Sequence, residues 1–93
     1  MFQFKATQSI ASRVNRVIQS HIETRGEVWL VNLGYAECND FAQLVVDQVS
    51  YVGTHKEFIR FETVARYVRS TKAMIRRKLE LQAKSQSNTS NGQ

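Results

Sequence analysis

The sequence predicts a small, mostly helical α+β domain, with long amphipathic helices near both ends and a short strand or small sheet between them. Apolar residues recur at helical spacing over residues 6–24 and 63–82. A β-branched and aromatic segment at residues 27–33 lies between two glycines, and the chain contains no proline. The 93 residues are enough for one domain, which we place at residues 1–83. The polar composition of residues 84–93 predicts a disordered tail.

The N-terminal helix is predicted over residues 6–24, with Thr7 or Ser9 as its cap and Gly26 in the left-handed position after its end. His21 falls in the middle of the apolar face, which predicts a buried or half-buried imidazole with one hydrogen-bond partner. Residues 1–22 are also basic, amphipathic and free of acids, as a mitochondrial transit peptide is. We favour an ordinary helix of the domain, because its apolar face is broad enough to form core.

The best strand candidate is residues 27–33, a short run that ends at Gly34 and whose Trp29 we expect in the core. We expect residues 34–39 to form a loop. Residues 40–52 are ambiguous, because their valine-rich composition favours a strand whereas their apolar spacing favours a helix. We prefer the helix, with Gly53 at its end.

A capping box formed by Thr54 and Glu57 predicts that the last helix begins just after Gly53. The competing interpretation is a strand over residues 57–61, followed by a helix that starts near Glu62. Both interpretations place residues 63–82 in a helix, with Val68 and Ile75 on its apolar side.

The predicted order of strand, helix, glycine turn and helix across residues 27–69, with the turn at residues 53–60, resembles the ribbon-helix-helix DNA-binding proteins. In that family, strands from two subunits pair and enter the major groove. The strand of this chain offers Glu27, Trp29 and Asn32 and no Lys or Arg. The resemblance therefore implies a topology and transfers no base-reading residue.

Positive charge is concentrated in the last helix. The net charge is +5, and residues 56–93 hold nine basic side chains against three acidic ones. Between Thr63 and Leu79 there are six basic residues and no acid to pair with them. On a wheel of 100° per residue, Lys78 lies at the apolar edge, and the other five occupy one arc of about 140° opposite the apolar arc. These five candidate phosphate ligands are Arg66, Arg69, Lys72, Arg76 and Arg77.

Catalysis has little support in the sequence. Cys38 and His55 are a candidate nucleophile and base, but a loop thiol and a helix-capping histidine are the simpler interpretation. Glu37, Asp40 and Asp47 match no metal-site spacing, and one cysteine with two histidines does not supply a zinc site. We therefore expect no enzyme activity, no metal and no cofactor.

A lone cysteine, with no apolar run of about 18 residues, favours a cytoplasmic protein that does not span a membrane. We expect a small nucleic-acid-binding regulator or accessory protein, for DNA or RNA, with modest sequence specificity. The alternative is a protein–protein interaction module, an inhibitor or adaptor, that docks its basic face on an acidic partner; a membrane surface ranks below both. We also expect a homodimer or higher oligomer, since a single strand leaves its backbone groups unpaired.

Overall fold

The computed structural model describes residue 4 and residues 8–91, with side chains described as far as Lys84. In chain order, the elements are α1 (Ile10–Arg25), α2 (Glu27–Val31), α3 (Tyr35–Val49), β1 (Tyr51–Val52), β2 (His55–Lys56) and α4 (Phe61–Asn91). The two short strands pair antiparallel. The chain is therefore small, mostly helical and α+β, as predicted, but its strands do not lie where the sequence placed them.

Helix α1 follows the sequence prediction closely. The Ser9 side chain accepts a hydrogen bond from the Ser12 N–H at 3.1 Å, which caps the first turn. Gly26 ends the helix with a φ of 90° and donates its N–H to the Ile22 carbonyl at 2.7 Å. Because residues that carry a side chain rarely adopt that φ, glycine is the residue that allows the chain to turn away at this point. His21 is half-buried and pairs with Gln48 Oε1 at 2.8 Å, which confirms the prediction of one hydrogen-bond partner.

The predicted strand at residues 27–33 is wrong, because Glu27–Val31 is the short helix α2. Leu30 is buried, and the Trp29 ring packs edge-on against Phe41 with centroids 5.0 Å apart. A strand here would need ladder partners, whereas the helical turn is closed by the Asn32 N–H, which donates to the Val28 carbonyl at 3.0 Å, and it buries Leu30. Packing therefore overrides β propensity. Because these residues form a helix, they leave no unpaired strand to support a homodimer. They also cannot form the paired ribbon of the ribbon-helix-helix proteins. The oligomeric state stays a prediction.

Helix α3 confirms the helical interpretation of residues 40–52, but it starts five residues earlier and ends at Val49. Its first turn is closed by the Glu37 carboxylate, which accepts the Gly34 N–H at 3.0 Å. The Cys38 N–H donates to the Gly34 carbonyl at 2.8 Å. The predicted loop at residues 34–39 is therefore wrong from Tyr35 onward. Gly34 and Glu37 cap the start of the helix upstream of Asp40, where the predicted helix began.

A two-residue turn, Gly53–Thr54, joins β1 to β2, with Tyr51 opposite Lys56 and Val52 opposite His55. Gly53 has a φ of 60°, as tight hairpin turns require. The predicted capping role of Thr54 is therefore wrong. Residues 57–60 have no regular structure, which excludes the predicted strand at 57–61, and α4 begins at Phe61, close to the competing start near Glu62.

The core lies where α3 packs between α1 and α4. Its largest fully buried side chains are Val14, Val17, Ile18, Leu30, Val45, Val49, Val64 and Val68. Phe4 is buried and forms a parallel bridge with Val52 of β1. Two large apolar side chains of α4, Met74 and Leu81, are 68% and 58% exposed.

Arg13 is the one buried charged residue in the described chain, with only 4% of its surface exposed. Its Nη2 contacts Glu57 Oε2 at 3.1 Å, its Nη1 donates to the Val49 carbonyl at 3.4 Å, and its Nε donates to the Gln8 carbonyl at 3.3 Å. Val49 is the last residue of α3, so the guanidinium satisfies a carbonyl at the negative end of that helix. Arg13 therefore holds α1, the end of α3 and the segment after β2 together.

Helix α4 extends to Asn91, and the disordered tail at residues 84–93 stays a prediction. Over the described residues, no helix has the length and apolar character that crossing a membrane requires. Thr7, the other candidate cap of the N-terminal helix, lies outside the described residues.

Candidate nucleic-acid interface

The basic face of α4 is defined by the five predicted residues, and the structure keeps four of them on the surface. Val64, Val68 and Ile75 turn toward the core and are buried. The opposite side of the helix presents its cations to solvent, as the helical spacing predicted. The exposed members are Arg66, Arg69, Arg76 and Arg77, whereas Lys72 is half-buried.

Arg69 is the member of this face with an acidic partner. Its Nη2 lies 3.7 Å from Glu62 Oε2, with exposed fractions of 47% and 74% for the two side chains. The sequence count of acids began at Thr63 and missed this residue. A pair that is long and solvated contributes little, and a phosphate can displace it. Within the described part of the chain, Arg66, Arg76 and Arg77 have no acidic partner.

Lys72 has a structural contact that the sequence did not reveal. Its Nζ donates to the Leu33 carbonyl at 2.5 Å and lies 3.9 Å from Cys38 Sγ. This contact ties the middle of α4 to the turn between α2 and α3. The amino group lies on the basic face, and its position is fixed by this contact.

Lys78 lies at the apolar edge of α4, as expected, and pairs with Glu27 at the start of α2. Both side chains are partly exposed. Because its charge is already matched, Lys78 does not belong to the basic face.

Two hollows border the basic face. The first, the Tyr35 hollow, has a volume of about 300 Å³ and lies between the start of α3 and the middle of α4. Its lining includes Tyr35, Asn39, Arg69, Lys72 and Arg76, and no acid. Three basic residues of the basic face therefore border this hollow.

The second, the Phe58 groove, is a wider depression of about 870 Å³ at the start of α4. Phe58, Arg60, Phe61, Glu62, Arg66 and Tyr67 line it. Phe58 is 89% exposed, and Arg66 belongs to both the groove and the basic face. Aromatic and arginine side chains thus share one open surface, with Glu62 as its acidic member.

The candidate catalytic residues lie in different settings. The Cys38 side chain is buried and donates to the Leu33 carbonyl at 3.8 Å, whereas His55 is exposed in β2. The Glu37 carboxylate caps α3, and the Asp47 carboxylate accepts a hydrogen bond from Gln43 at 3.3 Å, so both are engaged in contacts at or within this helix. Among the residues that the structure describes, no three or more His, Cys, Asp or Glu side chains are grouped as a metal site would need.

Tyr35, Phe58 and Arg13 were not identified from the sequence patterns. The signal for the aromatics was their position in polar stretches outside any apolar repeat. The signal for Arg13 was its place on α1 about 40° from Val17, at the border of the apolar face.

Comparisons of the chain with protein-family models, curated proteins and solved structures found no significant match.

Proposed function

We propose that this protein is a small, non-enzymatic, cytoplasmic nucleic-acid-binding regulator or accessory protein that contacts phosphates through the basic face of α4. The supporting observation is that Arg66, Arg76 and Arg77 are exposed and have no acidic partner among the described residues. Unneutralised guanidinium groups on one helix repel each other, and the phosphates of a polyanion neutralise them while counterions condensed on the polyanion are released.

The contribution of the five residues differs. Arg66, Arg69, Arg76 and Arg77 supply exposed guanidinium groups that can each bind two oxygens of a phosphate in a bidentate arrangement. Lys72 adds a fixed positive charge, since its ammonium is held by Leu33. Phosphate contacts set position and affinity, and sequence specificity stays modest because they read no base edge.

The test is a titration of labelled DNA and RNA oligonucleotides at several salt concentrations. With about four phosphates neutralised, the slope of log affinity against log salt is expected near −3 to −4. The double variant Arg69→Glu and Arg76→Glu replaces attraction with repulsion and should lower affinity by at least about a hundredfold at low salt. Its melting temperature should stay close to wild type, because both side chains are exposed.

The matched control is Arg16→Glu with Arg25→Glu. Both residues are exposed on α1, and the double change alters net charge by the same amount. It should bind nearly as well as wild type if the α4 face is the contact surface. If the wild-type protein binds no nucleic acid even at low salt, the proposal is wrong. The basic face then serves an acidic protein partner or solubility.

A further inference from the structure

The two most exposed large apolar side chains in the described chain are aromatic, Phe58 at 89% and Tyr35 at 80%. A single exposed apolar residue is ordinary. Here, each of the two lines a hollow that it shares with arginines of the basic face, Arg66 in one and Arg69 with Arg76 in the other. The same surface therefore offers cations and flat apolar rings side by side.

The two hollows follow one another along α4. Arg66 and Arg76 are ten residues apart, which is about 15 Å along the helix axis. The basic face runs from the Phe58 groove to the Tyr35 hollow over that distance, with Arg69 between them in sequence. A flexible polyanion can follow such a path and place a group in each hollow.

Trp29 is a further aromatic side chain, but its ring already packs against residues of this chain. Its ring contacts Phe41 edge-on, and the Arg25 guanidinium lies 4.7 Å from its centroid. Among the described residues, the exposed aromatic side chains that line the two hollows are Phe58 and Tyr35, and both lie beside α4.

Resting on the proposed function, we infer that the ligand is single-stranded nucleic acid, with bases stacked on Phe58 and Tyr35 and phosphates held by Arg66, Arg69 and Arg76. Only unpaired bases expose the faces that stack on aromatic side chains. In a duplex those faces are buried, and the rings of Phe58 and Tyr35 would have no counterpart. The arrangement of aromatics along a basic path is the one that single strands recognise.

The experiment compares single-stranded DNA and RNA of about 12 nucleotides with a duplex of the same sequence, using the full chain. Phe58→Ala and Tyr35→Ala should each weaken single-strand binding by about tenfold and leave duplex binding and the salt slope unchanged. Tyr35→Phe, which keeps the ring, should bind as wild type. Tyr51→Ala is the matched control, since Tyr51 is an exposed aromatic that lines neither hollow.

Two failures are distinguishable. If single strand and duplex bind equally and both alanine variants match wild type, while Arg69→Glu with Arg76→Glu still abolishes binding, the stacking inference is wrong and the phosphate-contact proposal stands. If neither nucleic acid binds at low salt, the phosphate-contact proposal itself fails, and the aromatic rings then belong to a protein-docking surface.

Discussion

Two groups of positive charge in this molecule differ in their surroundings. Arg13 is buried, and all three of its donor nitrogens are directed at a carboxylate or a carbonyl. The arginines of the basic face on α4 are exposed, and Arg66, Arg76 and Arg77 have no acidic partner among the described residues. In the sequence these residues are all simply arginines on amphipathic helices.

The difference shows that the role of a cation depends on how far its charge is already matched by the fold. Removing a buried, fully bonded guanidinium leaves acceptors without donors and costs folding free energy. Removing an exposed arginine costs the fold little, but it removes attraction for an external anion. Stability and binding should therefore respond to different arginines, and each substitution below tests that separation.

The largest effect on stability is expected from Arg13→Met. Methionine keeps much of the apolar stem, but leaves the Val49 carbonyl and the Glu57 carboxylate without this donor. Loss of one partner of a largely buried pair should reduce the free energy of unfolding by about 2–3 kcal/mol. For a chain of this size, the melting temperature should fall by about 10–20 °C. Thermal and urea unfolding followed by circular dichroism measure both quantities.

Arg16→Met is the matched control for this substitution, because Arg16 lies one turn along the same helix and is exposed. Its melting temperature should stay within about 3 °C of wild type. Equal losses in the two variants would mean that burial and bonding do not distinguish these arginines, and the contrast between the two groups of charge would fail.

An intermediate effect on stability is expected from Lys72→Met. Lys72 is half-buried, and it is hydrogen-bonded within the fold as Arg13 is, but it also belongs to the basic face. Its hydrogen bond to the Leu33 carbonyl fixes the turn between α2 and α3. Losing a charged donor there should cost about 1–2 kcal/mol, or about 5–10 °C in melting temperature. Lys84→Met, on the exposed side of the same helix, is the control and should melt as wild type does. A thermal melt that shows no difference between the two variants would place Lys72 with the freely exposed cations.

The helices α1, α3 and α4 could be predicted because their apolar residues repeat over several turns. Val14, Val17, Ile18 and Ile22 mark the buried face of α1, and Val64, Val68 and Ile75 mark that of α4. Over so many positions the helical period is distinct from the period of a strand. In α1 and α4 local propensity and tertiary packing agree, whereas in α3 the helical spacing prevails over a valine-rich composition that favours a strand.

The short segments could not be predicted on the same basis. Residues 28–31 are four consecutive apolar side chains, a pattern that fits a strand or a buried helical turn equally well. Only the space between α1 and α4 decides that α2 is helical. The Gly53–Thr54 turn carries both hairpin and helix-start signals, and the pairing of Tyr51 with Lys56 decides between them.

The candidate site was partly predictable for a similar reason. Helical spacing predicted that the five cations share one arc of α4 opposite the apolar side, and in the structure this arc faces away from the core. The spacing carried no information on Leu33, whose carbonyl holds Lys72, or on Glu62, which reaches Arg69 from two turns away. Those contacts depend on tertiary geometry and on side-chain reach, neither of which a pattern along one helix contains.

The smallest effect is expected from Lys78→Gln, which removes the ion pair between α4 and Glu27 of α2. Both partners are partly exposed, so water and salt already screen much of their attraction. The substitution should cost about 0.5 kcal/mol or less at low salt, and the difference should disappear in about 1 M salt. Arg77→Gln is the control, because Arg77 is the next residue before Lys78 and is exposed without an acidic partner in the described chain. Urea unfolding of both variants at low and high salt makes the measurement. A loss of unfolding free energy near that of Arg13→Met would show that this surface pair holds α2 in place. Exposure alone would then not identify the cations that can be removed without destabilising the fold.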